Sequence, residues 1–215
     1  GVPMEGKGMF KELNGSFYTG SILYGIPHGQ GELHLLDGSV YVGSFEFGIL
    51  TGEGTLIFPD GSTYVGVWRD GQYHGQGILT LKSGYIFTGE WNMGKKHGLG
   101  KETTVLFADT AEYQGSFHED ERHGYGIQSW DEWKYIGEWH NGERQGYGTT
   151  TFSNGFTYIG TYRSNKRWGQ GTLFYPDGSI LVGRFEKGWP WTGVHRDDGV
   201  VLGAYAAGIY KKDKQ

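Results

Sequence analysis

Apolar and small positions alternate along short runs of this chain, and the runs recur. In VYVGSFEFGILTGEGTLIFPD, from Val40 to Asp60, a first run places Tyr41, Gly43 and Phe45 on one side and Val40, Val42 and Ser44 on the other. A period of two is the signature of a β-strand. Residues 46–51 then read as a turn centred on Gly48. A second run, Gly52 to Phe58, sets Gly52, Gly54, Leu56 and Phe58 on one face. Pro59-Asp60-Gly61 breaks the chain, because proline presets φ and glycine accepts φ > 0. The stretch predicts one β-hairpin, joined by a tight turn to a second that begins at Tyr64.

The same pattern returns along the whole chain: aromatic, any residue, glycine, any residue, aromatic or aliphatic, then Gly-x-Gly. Its first glycine falls at Gly20, Gly43, Gly66, Gly89, Gly115, Gly137, Gly160 and Gly183, in steps of 23, 23, 23, 26, 22, 23 and 23 residues, and a weaker ninth copy sits at Gly203. Self-similarity at a fixed period denotes one small structural unit stacked many times. The fold class this predicts is all-β: a single-layer antiparallel sheet of consecutive hairpins, drawn out into a twisted ribbon with a groove. About seventeen strands at ~4.8 Å spacing give a length of roughly 80 Å, and each hairpin touches mainly its neighbours. The array is read over residues 4–208, opening in mid-repeat with Gly6-x-Gly8. Residues 1–3 are expected to be a cloning scar on a piece cut from a longer protein. Residues 209–215 are expected to be a tail, frayed from Lys211 onward.

Composition sharpens this picture. The chain carries 41 glycines in 215 residues together with 16% aromatic residues, against a usual glycine share of ~7%. A strand glycine normally weakens a sheet, so its repetition at one place implies a use. A ring from a neighbouring strand is expected to lie on the bare backbone: Tyr64 and Trp68 over Gly52 and Gly54, Phe87 and Trp91 over Gly75 and Gly77. An aromatic side chain brings ~150–250 Å² of surface, enough for one sheet to hold itself without a second layer. The net charge of -5 argues against general affinity for nucleic acid. There is no cysteine, hence no disulfide and no thiolate chemistry. With no signal peptide and no long apolar run, the expected location is cytoplasmic, in association with cytoskeleton or membrane. Asn14-Gly15-Ser16 matches a glycosylation sequon and is read as chance.

The pattern bends in two places. Three extra residues fall between Lys101 and Glu112, within Thr103 to Ala108, and predict a longer turn or a bulge. The following connection, Trp130-Asp131-Glu132-Trp133, has no glycine. The last copies lose their motif, as terminal caps of a stack do.

YVGVWRDGQYHGQGILTLKSG and YIGEWHNGERQGYGTTTFSNG resemble MORN repeats (membrane occupation and recognition nexus). The likeness covers Gly6 to about Gly208. It implies a long single-layer antiparallel sheet with a groove, acting mostly as a scaffold for other proteins. It also implies that some members dimerise, that some arrays are attached to enzymes, and that phospholipid binding is attributed to the repeat.

Candidate chemistry is sparse. His28, His74, His97 and His123 share one slot before Gly-x-Gly, but equivalent residues lie about 10 Å apart, too far to share a metal ion. They read as turn residues that hydrogen-bond. Gly-x-Gly lacks the helix that a phosphate loop requires. The acidic residues Asp70, Glu119-Asp120-Glu121, Asp131-Glu132 and Asp197-Asp198 fall in turns, where nothing shields them for catalysis. No catalytic residue, metal or cofactor is expected, and the chain is not expected to be an enzyme. Lys95, Lys96, Arg163, Lys166 and Arg167 fall at equivalent turns and predict a basic edge for lipid head groups or an acidic partner.

The aromatic stripe remains: Tyr41, Phe45, Tyr64, Trp68, Phe87, Trp91, Tyr113, Phe117, Tyr135, Trp139, Tyr158 and Tyr162. Mostly it is core. A one-layer sheet has nothing to cover its apolar face, however, so part of the stripe is expected to stay exposed and line a groove. The favoured reading is a scaffold that binds an extended or helical segment of a partner protein there. The alternatives are a phospholipid-contacting module and the regulatory array of a larger enzyme. Homodimerisation through an uncapped sheet edge is a further expectation.

Overall fold

The computed structural model describes residues 5–11, 15–106 and 109–213. The chain folds as two units, residues 1–106 and 107–215. Among the described residues every regular element is a strand. The N-terminal unit contains β1 (Glu5–Lys11), β2 (Phe17–Leu23), β3 (Ile26–His34), β4 (Val40–Glu46), β5 (Ile49–Ile57), β6 (Thr63–Arg69), β7 (Gln72–Thr80), β8 (Tyr85–Asn92) and β9 (Lys95–Leu106). The C-terminal unit contains β10 (Asp109–His118), β11 (Glu121–Trp130), β12 (Trp133–His140), β13 (Glu143–Phe152), β14 (Thr157–Arg163), β15 (Lys166–Phe174), β16 (Ile180–Glu186), β17 (Trp189–Asp197), β18 (Val200–Ala206) and β19 (Ile209–Lys212). Within each unit every strand pairs antiparallel with its neighbours in sequence, as a run of hairpins requires.

The hairpin tips are tighter than the sequence pattern suggests. The turn expected over residues 46–51 is only Phe47–Gly48, and β5 already begins at Ile49. Both tip residues have positive φ, 45° and 84°. The same holds at Met93–Gly94, Ser164–Asn165 and Ala207–Gly208. These are type I′ turns, whose twist matches that of the flanking strands. Each tip is also tied to the preceding hairpin: the Gly48 N–H donates to Pro27 O (2.8 Å), that of Gly71 to Leu50 O (3.0 Å) and that of Gly188 to Arg167 O (3.0 Å). Two of the connections between hairpins, at Pro59-Asp60-Gly61 and Pro176-Asp177-Gly178, are Pro-Asp-Gly turns of the kind read from the sequence. At Asp60, one carboxylate oxygen accepts the Ser62 N–H at 2.8 Å, and Asp177 holds Ser179 in the same way at 2.9 Å.

A row of glycines crosses each unit. Gly20, Gly31, Gly43, Gly54, Gly66 and Gly77 pair in succession from β2 to β7, and Gly126, Gly137, Gly148, Gly160 and Gly171 do so from β11 to β15. The rings lie over this row, but in a different register from the one expected. A Cβ on Gly77 would meet the Tyr64 ring, and one on Gly54 would meet Tyr41, not Tyr64. Each ring therefore covers the glycines of its own hairpin, two residues along its strand and directly across. Gly52 and Gly75 are not seats at all. They sit where the register shifts beyond Gly43 and Gly66 and adopt φ of 57°. Their hydrogen-only side chains permit the left-handed backbone of a bulge.

The ends and the middle also differ from expectation. Lys211 and Lys212, read as the start of a frayed tail, pair with Ala204 and Gly203 in β18–β19. The weak ninth repeat thus still forms a hairpin. The extra residues before Glu112 lengthen β9 and β10 instead of making a long turn; Phe107 and Ala108 lie outside the described residues, as do residues 1–3 and Asn14 of the sequon.

Candidate functional site

The twelve aromatic residues of the stripe are buried, none more than 5% exposed. The exposure expected of them is absent, because the rings cover one another. Tyr41 makes an edge contact with Phe45 on its own strand (5.2 Å between centroids) and another with Trp68 of the next hairpin (5.1 Å). Tyr64 does the same with Trp68 (5.3 Å) and Trp91 (5.6 Å), and Phe87 meets Trp91 at 5.1 Å. In the C-terminal unit Tyr113 contacts Phe117 and Trp139, Tyr135 contacts Trp139 and Tyr162, and Tyr158 contacts Tyr162 and Phe185, all edge to face at 4.9–5.4 Å. The result in each unit is a zigzag ladder of T-shaped pairs, each worth ~0.5–1.5 kcal/mol beyond its area burial.

The phenols of the ladder are satisfied locally. Tyr41, Tyr64, Tyr113, Tyr135 and Tyr158 each donate to the carbonyl three residues ahead, at 2.9–3.1 Å. That carbonyl adjoins the register shift, so the hydroxyl replaces a missing ladder bond. Burial pushes the Tyr41 phenol up to about 12 and raises those of Tyr64, Tyr135 and Tyr158 as well.

What faces outward over the ladder is a second set of residues. Directly across from Trp68, Trp91, Phe117, Trp139 and Tyr162 stand Tyr73, Lys96, Arg122, Arg144 and Arg167. Their side chains lie on the rings. The Tyr73 ring stacks on Tyr64 at 3.6 Å. The Arg122 guanidinium lies 4.6 Å from the Tyr113 centroid and 5.3 Å from that of Trp139. Arg144 covers Trp133, Tyr135 and Tyr162 at 5.1–5.7 Å, and Arg167 covers Tyr158 and Phe185 at 5.5 and 5.6 Å. These are cation–π contacts. They do for a one-layer sheet what a second layer does elsewhere.

Arg144 is held from three sides. Its backbone N–H donates to Asn165 Oδ1 (2.9 Å), its Nη2 to Asn165 O (2.9 Å), and its carbonyl accepts the Asn165 N–H (3.1 Å). Asn165 occupies a tip position that is glycine in most hairpins, with φ of 65°. Burial lowers the Arg144 guanidinium from its usual value. Beside it lies a recess of about 290 Å³, lined by Trp133, Arg144, Phe152, Tyr162, Lys166 and Arg167 among others. A second recess of about 230 Å³ shares Phe152 and Arg167 with it and continues to Phe156 and Leu173.

The basic edge is divided by these placements. Lys96 is an ion-pair partner of Glu102 at 2.6 Å, both side chains largely buried, with its ammonium over Tyr85 and Phe87. Arg167 turns onto the ladder in the same way, whereas Lys95, Arg163 and Lys166 are exposed near hairpin tips. The five cations therefore do not form one edge. The histidine slot is equally divided. The His28 ring contacts Phe47, His123 lies among His118 and His140, and His74 Nδ1 is buried without a hydrogen-bond partner. Among the described residues no group of three or more His, Cys, Asp or Glu is arranged to hold a metal ion.

Arg144, Phe152 and Phe156 were not singled out from the sequence, and Trp133 was noted only as the end of the glycine-free connection that begins at Trp130. For Arg144 the signal was present: after Pro27 in the first repeat, the residue two places before Gly-x-Gly reads Leu50, Tyr73, Lys96, Arg122, Arg144 and Arg167, never acidic and large from the second repeat on.

A family model described as MORN repeat matches residues 18–40, 41–63, 64–84, 87–105, 113–133, 135–157 and 158–180. No curated protein matches the chain. Among solved structures, it is similar to the TCP domain of SAS-4 (dCPAP) in complex with a proline-rich motif of Ana2 (dSTIL) of Drosophila melanogaster, with 12% identity and a TM-score of 0.43 over 86% of this chain and 90% of that one. It is also similar to the selenomethionine-substituted virginiamycin B lyase from Staphylococcus aureus, with 8% identity and a TM-score of 0.16 over 96% of this chain and 85% of that one. Both structural likenesses are too distant to bear on function.

Proposed function

This chain belongs to the MORN repeat family, and we propose that it is a non-catalytic scaffold that docks a segment of a partner protein on the ring-bearing face of its hairpins. The observation that supports this reading is the face itself. The ladder is sealed, so the accessible surface above it consists of large side chains laid flat on rings, with recesses between them. In the C-terminal unit that surface joins the half-buried Trp133 and Phe152 to the guanidiniums of Arg144 and Arg167. Apolar anchors beside preset arginines are the composition of binding hot spots. The opposite face is of a different kind. Val42, Val65, Ile78, Ile136 and Val182 are 43–48% exposed there as a thin β-branched layer, and the recess on that side, about 460 Å³ and lined by Tyr125, Glu138 and His140 among others, carries a carboxylate and no arginine.

Site-directed photo-crosslinking tests the reading. A benzophenone side chain at residue 152 reports on the ring-bearing face and one at residue 136 on the opposite face. The expected result is a partner protein cross-linked at 152 and not at 136, reproduced with the purified partner. Cross-linking at 136 alone, or recovery of lipid vesicles with no protein, argues for a different function.

A further inference from the structure

We propose that the trough joining Arg144 and Arg167 is built for an acidic segment in the polyproline II conformation, with a carboxylate at every third residue. The inference rests on the docking reading above and names its ligand.

Four observations lead to it. First, the two guanidiniums are half-buried on aromatic rings, yet among the described residues neither has a carboxylate within ion-pair distance. Moving a charge away from water is costly unless a counter-charge compensates. An incoming carboxylate supplies that compensation, with the bidentate geometry arginine favours. Second, no acidic residue lines either recess. Glu143 approaches only through its 3.4 Å contact with the Asn165 amide, while Lys166 adds a third positive charge at the rim. Third, Arg144 is fixed in advance by Asn165, so little side-chain freedom remains to be lost on binding.

Fourth, the spacing selects the ligand's conformation. Arg144 and Arg167 are equivalent residues of consecutive hairpins, two strand spacings or roughly 9.6 Å apart along the sheet. A polyproline II helix has three residues per turn and a rise of ~3.1 Å, so positions i and i+3 share a face ~9.3 Å apart. An extended β-strand puts i and i+3 on opposite faces. An α-helix returns to the same face at about 10.5 Å after seven residues, overshooting by about 1 Å at each hairpin. Trp133, Phe152 and Phe156 add flat apolar surfaces of the kind on which pyrrolidine rings rest.

The test is fluorescence anisotropy with the whole chain and fluorescein-labelled peptides. The probes are a Glu-Pro-Pro repeat, its Gln-Pro-Pro counterpart, a Glu-Pro-Pro-Pro repeat that breaks the spacing, and an alanine-based helix with glutamate at every seventh position. Glu-Pro-Pro is expected to bind at least about tenfold more tightly than each of the others, as expected for a charge-assisted bidentate contact. Arg144→Gln and Arg167→Gln should each weaken it by a similar factor, Arg144→Lys should restore only part, and Lys95→Gln in the N-terminal unit should change nothing. Circular dichroism checks that each variant is folded; should one not be, the four peptides on the unaltered chain still decide the spacing. Equal affinity for Glu-Pro-Pro and Gln-Pro-Pro, tighter binding of the helix, or no binding of any peptide overturns the inference. In all three cases the cross-link at residue 152 separates the two claims. If it still captures a protein, docking stands without this ligand; if it does not, both fail.

Discussion

Replacing Gly77 by alanine tests the seat directly. The added methyl would lie 2.7 Å from the Tyr64 ring carbons Cε2 and Cζ, where carbon atoms normally keep ~3.5–4.0 Å apart. The ring must retreat by about 1 Å, which forfeits a quarter to a half of the dispersion energy of each contact it loosens. Tyr64 has no room to move freely: it is 0% exposed, stacks on Tyr73, meets Trp68 and Trp91 edge-on and donates to Val67 O at 3.0 Å. Overpacking of this kind costs ~1–3 kcal/mol. Weakening the phenol hydrogen bond adds about 1 kcal/mol, and the ring pairs add several tenths each. Alanine stiffens the unfolded chain and returns ~0.4–1 kcal/mol. The expected net loss is about 2–4 kcal/mol. Gly61→Ala is the control, because its φ of 89° carries backbone strain but nothing lies within 4 Å of the added Cβ; ~1–2 kcal/mol is expected there. Urea unfolding followed by tryptophan fluorescence measures both. The atoms nearest the added methyl all belong to the Tyr64 side chain, so in a Tyr64→Ala background that clash is gone and the double-mutant cycle should show a coupling of about 2 kcal/mol. A coupling below about 0.5 kcal/mol, or equal costs for Gly77→Ala and Gly61→Ala, would refute the ring-on-glycine account.

Three further outcomes follow from the ladder and its turns. The buried phenols have folded pKa values above their unfolded value of 10.0, with Tyr41 at about 12, so their neutral form is the one folding favours. That contribution is complete below pH 10 and erodes as pH rises from 10 through 12; the Tyr41 phenol, followed by the 13C chemical shift of its own Cζ, should therefore ionise together with loss of the β-sheet signal, and its ionisation ahead of unfolding would contradict this. Trp68 Nε1 donates to Gly54 O at 3.2 Å, whereas the equivalent Trp139 Nε1 is buried without a partner; Trp68→Phe should cost about 1 kcal/mol more than Trp139→Phe in thermal unfolding, and equal costs would count against this difference. Ala207 holds φ of 50° at the first position of a type I′ turn, so Ala207→Asn, which makes Asn-Gly, should stabilise the β18–β19 hairpin by ~0.5–1 kcal/mol, seen as slower amide exchange in β19.

The strand alternation was legible in the sequence from its period of two and the hairpins from their 23-residue repeat; that rings seat on glycines was legible too, but not which glycines, since Tyr64 covers Gly77 of its own hairpin and Gly54 belongs to Tyr41. The turns were less legible. Phe47, Met93 and Lys187 occupy positive-φ tip positions, where asparagine, aspartate or glycine is the usual signal. Without that signal, a turn of six residues was a natural reading of residues 46–51. The error then propagated. With a wide turn, Leu50, Tyr73, Arg122 and Arg144 count as loop residues; with a two-residue turn they belong to strands and face the ladder. The candidate site was overlooked for this reason, and Lys96 and Arg167 were assigned to an edge instead of to the rings they cover. The burial of the stripe was overlooked for another. Alternation shows which residues share a face, but not that Tyr41 and Trp68 from different hairpins meet at 5.1 Å and close the gap between them.

The ladder also explains why such a sheet can dispense with a second layer and still present a surface of fixed shape. Each tyrosine is gripped by its own hairpin through two glycines and by the next hairpin through one edge-on ring, so cohesion within a hairpin and between hairpins depends on the same side chain. Stability then accumulates as nearest-neighbour increments. From β6 to β15 the residue across from each second ring is under a different constraint: it need only be large enough to cover the ladder. Tyr73, Lys96, Arg122, Arg144 and Arg167 all meet that requirement with different chemistry. The slot is thus free to vary in charge at little cost to the fold, and a run of arginines can appear in one unit where the other carries leucine, tyrosine and lysine. Specificity for a partner can be encoded there, hairpin by hairpin, on a scaffold whose packing does not change.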